Sequence, residues 1–202
     1  MRHPVITLAV SLSLAGACGP SSAPRPNPAA ESAAASDAAQ AKAREAAVAA
    51  RESERLAALW EYNNVAVAGG HQRSALIRSA NGVDTTGLGA KAVSLVFRDH
   101  PSWGKSSYLI LQDGDFECGA GCSVSVTVDE AAPKSMAARR PRTDEAIAMF
   151  INDWQTLWRL TARAKRMAIE FPVKGRGKLT ATFEVGGLDR SVLPGWDGAA
   201  LR

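Results

Sequence analysis

The sequence predicts an α+β fold, mainly antiparallel β and sandwich-like with one packed helix, preceded by a signal peptide, a linker and an Ala-rich helix. Three observations carry this expectation. Several segments, "CSVSVTVD", "MAIEFPV" and "LTATFEV" most clearly, alternate apolar and polar residues with the two-residue period of half-buried strands. One late segment, "NDWQTLWRLTARAKR", instead repeats its apolar residues at helical spacing. Runs of strands with a single helix, rather than regular strand–helix alternation, imply antiparallel pairing with the helix packed across the sheet.

The bulk composition fits one domain with extensions. The chain has 202 residues, 46% hydrophobic and 22% charged, close to ordinary soluble proteins, so neither wholesale disorder nor a multispanning membrane protein fits. Its net charge is +4, and removing residues 1–17 takes away Arg2 alone among the charged side chains, leaving +3. That balance suits an anionic envelope surface and is too small to imply nucleic-acid binding.

Residues 1–17 read as a signal peptide: a positive start at Arg2, an apolar run from Val5 to Leu14, then Ala15, Gly16 and Ala17. The run is about half the roughly 20 residues that a membrane-spanning helix needs. Leu14-Ala15-Gly16-Ala17-Cys18 resembles a relaxed lipobox of bacterial lipoproteins, although Leu14 stands four positions before the cysteine rather than the usual three. The resemblance implies that Cys18 is the lipid anchor, carrying acyl chains that hold the protein on a bilayer. Gly19 in place of Asp resembles lipoproteins sent on to the outer membrane of Gram-negative bacteria, facing the periplasm. Ordinary cleavage near Ala17 with a free thiol at Cys18 is the alternative.

Residues 18–36, rich in Pro, Ser and Ala, offer too few large apolar groups to offset the entropy of ordering and read as a linker. Residues 37–59 are strong helix formers with interleaved charges, and Asp37 is placed to cap their start. Such a helix spans about 35 Å. Its large apolar residues are Val48, Leu56 and Leu59, which suits a solvated spacer; a partner-binding or coiled-coil helix is the alternative.

Residues 60–196 form the expected β-rich domain, with 197–202 as a tail. Strands are expected at Trp60–Val67 and at 74–79, 92–98, 107–112, 122–128 and 146–151. "MAIEFPV" and "LTATFEV", joined by "KGRGK", form a hairpin. In the helix, Asn152 with Gln155 reads as a capping box. Trp154, Leu157, Trp158, Thr161 and Ala164 share its apolar face, and Arg159, Arg163 and Arg166 form a basic stripe away from it.

With Cys18 used as an anchor, Cys118 and Cys122 remain in a compartment that permits disulfides. Their flanks "YLILQDGDFE" and "SVSVTV" read as strands, so the bridge is expected to staple the turn of a hairpin. A redox pair is the alternative, but such pairs use a two-residue spacer at a helix start.

Catalytic signals are missing. After loss of His3, His71 and His100 are left on unrelated loops. Asp113, Asp115 and Glu117 lack the later glycine and glutamate of a calcium loop. No nucleophile elbow, zinc-binding helix or phosphate loop occurs. The expectation is a non-enzymatic protein without cofactor or metal.

The segments "WEYNN", "IRSAN", "LVFRDHPSWGKSSYLIL", "GDFECGAGCSVSVTVDE", "AIAMFIND", "AKRMAIEFPV" and "ATFEVGGL" resemble a loose class of small periplasmic β-rich domains, and are similar in pattern to the TagO/VasI-like accessory proteins of type VI secretion. The resemblance is one of pattern across residues 60–196 and implies a non-enzymatic envelope domain.

The leading functional expectation is therefore a membrane-anchored lipoprotein that acts as a binding or accessory protein toward an unidentified periplasmic protein, an inhibitor or immunity protein being one form of this. Trp103 in "HPSWGKS" and Arg139, Arg140 and Arg142 in "ARRPR" are its candidate contact residues; a packed aromatic and a soluble loop are their bland alternatives. The competing expectation is an envelope glycan- or lipid-binding lipoprotein that uses Arg159, Arg163 and Arg166, against which a merely solvated helix face is weighed.

Overall fold

A computed structural model describes residues 28–141 and 147–197. Cys18, the signal peptide, Arg142 and the last residues of the tail lie outside them. The described residues divide into two units, with the boundary between Glu45 and Ala46. The first unit's described residues are helical. Helix α1 (Pro28–Ala57) starts well before Asp37, so residues 28–36 are helix rather than linker. Proline is favoured in a first helical turn because its φ is already set and its missing N–H has no partner to lose there. The Ala, Ser and Glu residues that follow extend it.

In the second unit the strands are β1 (Trp60–Val67), β2 (Gly70–Val83), β3 (Lys91–His100), β4 (Gly104–Ile110), β5 (Cys122–Val128), β6 (Lys134–Arg139), β7 (Ala148–Ile151), β8 (Met167–Val173) and β9 (Gly177–Phe183). They form one antiparallel sheet in the order β1-β2-β3-β4-β7-β6-β5-β8-β9. The β8–β9 hairpin pairs Met167 with Phe183 through to Val173 with Gly177, as the alternation predicts.

The expected hairpin across "CGAGC" is not formed: β4 pairs with β7, and β5 pairs with β6 and β8. The strand expected over 107–112 stops at Ile110 because the chain leaves the ladder. Phe116 forms an isolated bridge with Val173 and packs edge-on against Phe171 at 5.5 Å. Burying that ring, 1% exposed, outweighs continuing a polar "QDGD" segment as a strand. The Cys118–Cys122 disulfide is present and fastens this loop to the start of β5. Strand β6 was not expected, since "KSMAAR" has weak strand propensity; only Met136 and Ala138 point inward.

The sheet curls until β2 lies beside β9. Asn81, at an irregularity in the β2–β3 register, donates to Thr180 O and accepts from Thr182 N. One continuous core fills the curl, with Ile77, Leu95, Phe97, Leu109, Met149, Ile169 and Phe183 fully buried.

Helix α2 (Trp154–Thr161) carries Leu157, Trp158 and Thr161 into that core, as its periodicity predicts. Its cap is Asp153, which accepts the Thr156 N–H at 2.9 Å, and not Asn152. A carboxylate at this position also suits the positive end of the helix dipole. The helix ends at Thr161, whose hydroxyl bonds back to Leu157 O and Trp158 O. Trp158 and Trp196 meet Phe97 edge-on, and Trp60 stacks on it. The C-terminal segment closes this cluster: Trp158 Nε1 donates to Asp197, and Arg190 lies 4.1 Å over the Trp158 ring.

Candidate interaction face

Along β3 the inward residues are Val93, Leu95 and Phe97, which leaves Val96, Arg98 and His100 on the outer face. The pairing register extends this outer row across six strands: Glu61, Leu76, Val96, Tyr108, Phe150 and Arg139 stand directly opposite one another in turn. Tyr108 and Phe150 lie 5.2 Å apart between ring centroids. Arg98 sets its guanidinium 5.2 Å from the Tyr108 ring and 5.3 Å from Trp103, and Arg139 lies 5.0 Å over Phe150. Each contact is in the range where a ring's negative face attracts a cation. Burial raises the Tyr108 hydroxyl pKa above the usual phenol range, and the Arg98 charge partly opposes the shift.

Trp103 sits in the β3–β4 turn and is 70% exposed, yet it is not loosely held. Its ring stacks on His100 at 3.8 Å, and the His100 Nδ1 accepts both the Ser102 and Trp103 N–H groups. An indole of this size presented to water on a fixed backing is the kind of group that anchors recognition surfaces. His100 and His71 belong to the paired strands β2 and β3, and His71 is occupied by Asn64 at 3.0 Å.

The structure thus brings Trp103 and Arg139 onto one face, joined through Arg98, Tyr108 and Phe150, which sequence reasoning did not single out. Arg139 ends strand β6 rather than lying in a loop. Arg140 is ion-paired to Asp115 at 2.9 Å. The basic stripe is not assembled: α2 ends at Thr161, so Arg163 and Arg166 lie beyond it, while Arg159 donates to Thr156 Oγ1. The parity of "VFRDH" held a signal for Arg98, but the pairing of β4 with β7, which supplies its rings, is set by contacts distant in sequence.

Arg166 instead borders an open cleft of about 590 Å3 with Glu52, Asp129, Glu130, Lys165 and Glu184. Its acids are largely engaged within the protein. Glu52 and Glu184 bond Arg55, whose guanidinium lowers the pKa of each. Asp129, in the left-handed backbone region, accepts the Lys165 and Arg166 N–H groups. Among the described residues no cluster of His, Cys, Asp and Glu could hold a metal, and no helix is long and apolar enough to cross a membrane.

Comparison with protein-family models, with curated proteins and with solved structures returns no match.

Proposed function

We propose that this chain is a lipid-anchored envelope lipoprotein, facing the periplasm from the outer membrane, whose β domain binds a periplasmic protein through the outer face of β3, β4, β7 and β6. The observation that carries the reading is the exposed Trp103, backed by His100 and continuous with Arg98, Tyr108, Phe150 and Arg139. Aromatic and arginine side chains clustered on a rigid sheet bury much area with little loss of conformational freedom on binding. The lipobox-like Leu14–Cys18 stretch supports the anchor, and a non-enzymatic accessory or inhibitory role accords with the absence of catalytic motifs from the sequence.

A photoreactive residue placed at Trp103 in living cells tests the binding face. The expected result is a covalent adduct with one periplasmic protein, absent when the same probe replaces the exposed Lys178. Equal adducts from both positions, or none from Trp103, overturn the reading. A Cys18→Ser variant tests the anchor separately: it is expected to leave the membrane fraction, and unchanged fractionation would defeat that part.

A further inference from the structure

The charges on this face are unevenly balanced. Arg78, on the same side of the sheet, bonds Glu61, and Arg140, next to Arg139 in the chain, bonds Asp115. Arg98 and Arg139 themselves have no carboxylate at ion-pair distance among the described residues. Rings surround the two guanidiniums, and Arg98 also hydrogen-bonds the Tyr108 hydroxyl.

Arg98 is also partly stripped of water. Its Nε and the Oγ of Ser106, which stands directly opposite it in the β3–β4 register, are both buried without a hydrogen-bond partner. Ordinary surface ion pairs gain little, because both ions must give up hydration as they meet. For Arg98 part of that loss is already incurred on folding, so an incoming anion recovers more than it would at a solvated arginine. A guanidinium has five N–H donors, so contact with rings and one bond to a hydroxyl still leave it N–H groups for a carboxylate.

We infer that the face docks an acidic protein segment, one that presents an Asp or Glu carboxylate to Arg98 and Arg139 beside an apolar side chain laid on Trp103 and Phe150. The inference rests on the reading of this face as a protein-binding surface and adds the chemistry of its partner. Two guanidiniums set among apolar rings suit one or two carboxylates. A phosphate-rich polymer or lipid headgroup array calls for a broader cationic field than a chain of net charge +4 supplies.

The test uses the mature, folded protein as bait for a random peptide library displayed on phage, followed by affinity measurements on individual selected peptides. Expected are sequences rich in Asp or Glu next to aromatic or aliphatic residues. Their binding should fall by about tenfold or more in Arg98→Gln and in Arg139→Gln, with both variants still folded by circular dichroism at the assay temperature and with Arg176→Gln as the unaffected control. Selected peptides that lack acidic residues yet lose binding in Trp103→Ala keep the protein-binding face and overturn its proposed acidic preference. Peptides indifferent to all three face substitutions, a failure to select any, or selection abolished only by soluble envelope glycan fragments overturn both.

Discussion

The side-chain amide of Asn81 stands in for a peptide group between β2 and β9: it accepts the Thr182 N–H at 2.7 Å and donates to Thr180 O at 2.9 Å. This one residue bridges strands that the sheet order places far apart. Asn81→Ala removes both bonds, and because the site is exposed, water takes over part of their role. The expected loss is about 1 kcal/mol of stability, read as a lower urea midpoint. Hydrogen exchange gives the sharper check, since the Thr182 amide should lose protection while amides of β3 keep theirs. Asn81→Asp, which retains the acceptor, should preserve Thr182 protection.

Gly187 adopts φ +78°, and a Cβ there would lie 2.5 Å from Ala57 N and 2.6 Å from Leu56 C. The last turn of α1 is thus seated against this glycine, beside the Arg55 to Glu184 ion pair. Gly187→Ala combines an unfavourable backbone region with a clash against backbone that has no rotamer to yield. A loss of about 2 kcal/mol or more is expected. Limited proteolysis should show new cleavage near residues 56–59, and an unaltered digestion pattern would count against this account of the close approach.

What the sequence makes legible divides along local and non-local lines. Strand β1 was readable to its ends, and the β8–β9 hairpin and the buried face of α2 were readable as elements, because each is written in one segment's periodicity. The partner of β4 was not, because the choice between β5 and β7 depends on Phe116 finding Phe171, residues far apart in the chain. The cap of α2 falls one residue after the position the capping-box pattern marks: Asn152 and Asp153 are both good caps, and only the backbone geometry selects Asp153. Trp103 and Arg139 stood out by residue type, whereas Arg98, Tyr108 and Phe150 become a group only once the register is known.

The Cys118–Cys122 bridge spans three intervening residues, so it constrains little of the unfolded chain. The loop-entropy relation gives about 2 kcal/mol for a closed loop this short. Reduction, or the Cys118→Ala/Cys122→Ala pair, should lower stability by no more than that and leave the sheet folded. Urea unfolding with and without a dithiol reductant measures it. A loss well above 4 kcal/mol would mean that the bond secures the Phe116 excursion as a whole rather than only the turn.

Asp153 offers a pH-dependent counterpart. Its carboxyl pKa is lowered, first by hydrogen bonding from the Thr156 side chain and then from its backbone N–H, with attraction from Lys134 and Arg159 working in the same direction against a desolvation cost. A carboxyl whose pKa is depressed on folding stabilises the native state fully above its ordinary range, near about pH 4, and loses that contribution as pH falls through the folded value. Asp153→Ala should therefore cost about 1 kcal/mol at pH 7, with the gap from wild type narrowing as pH falls below about 4, where the unfolded carboxyl takes up its proton, and on down through the lowered folded value. Asp153→Asn, whose amide caps without titrating, should match wild type closely at neutral pH and show a flatter acid limb. Comparing the three proteins cancels the contributions of the other lowered carboxyls, Asp84, Asp113 and Asp197 among them, which all three share. If the Ala gap is the same at pH 7 and pH 3, the ionised carboxylate contributes nothing beyond its shape, and the helix start is held by the neutral hydrogen bond alone.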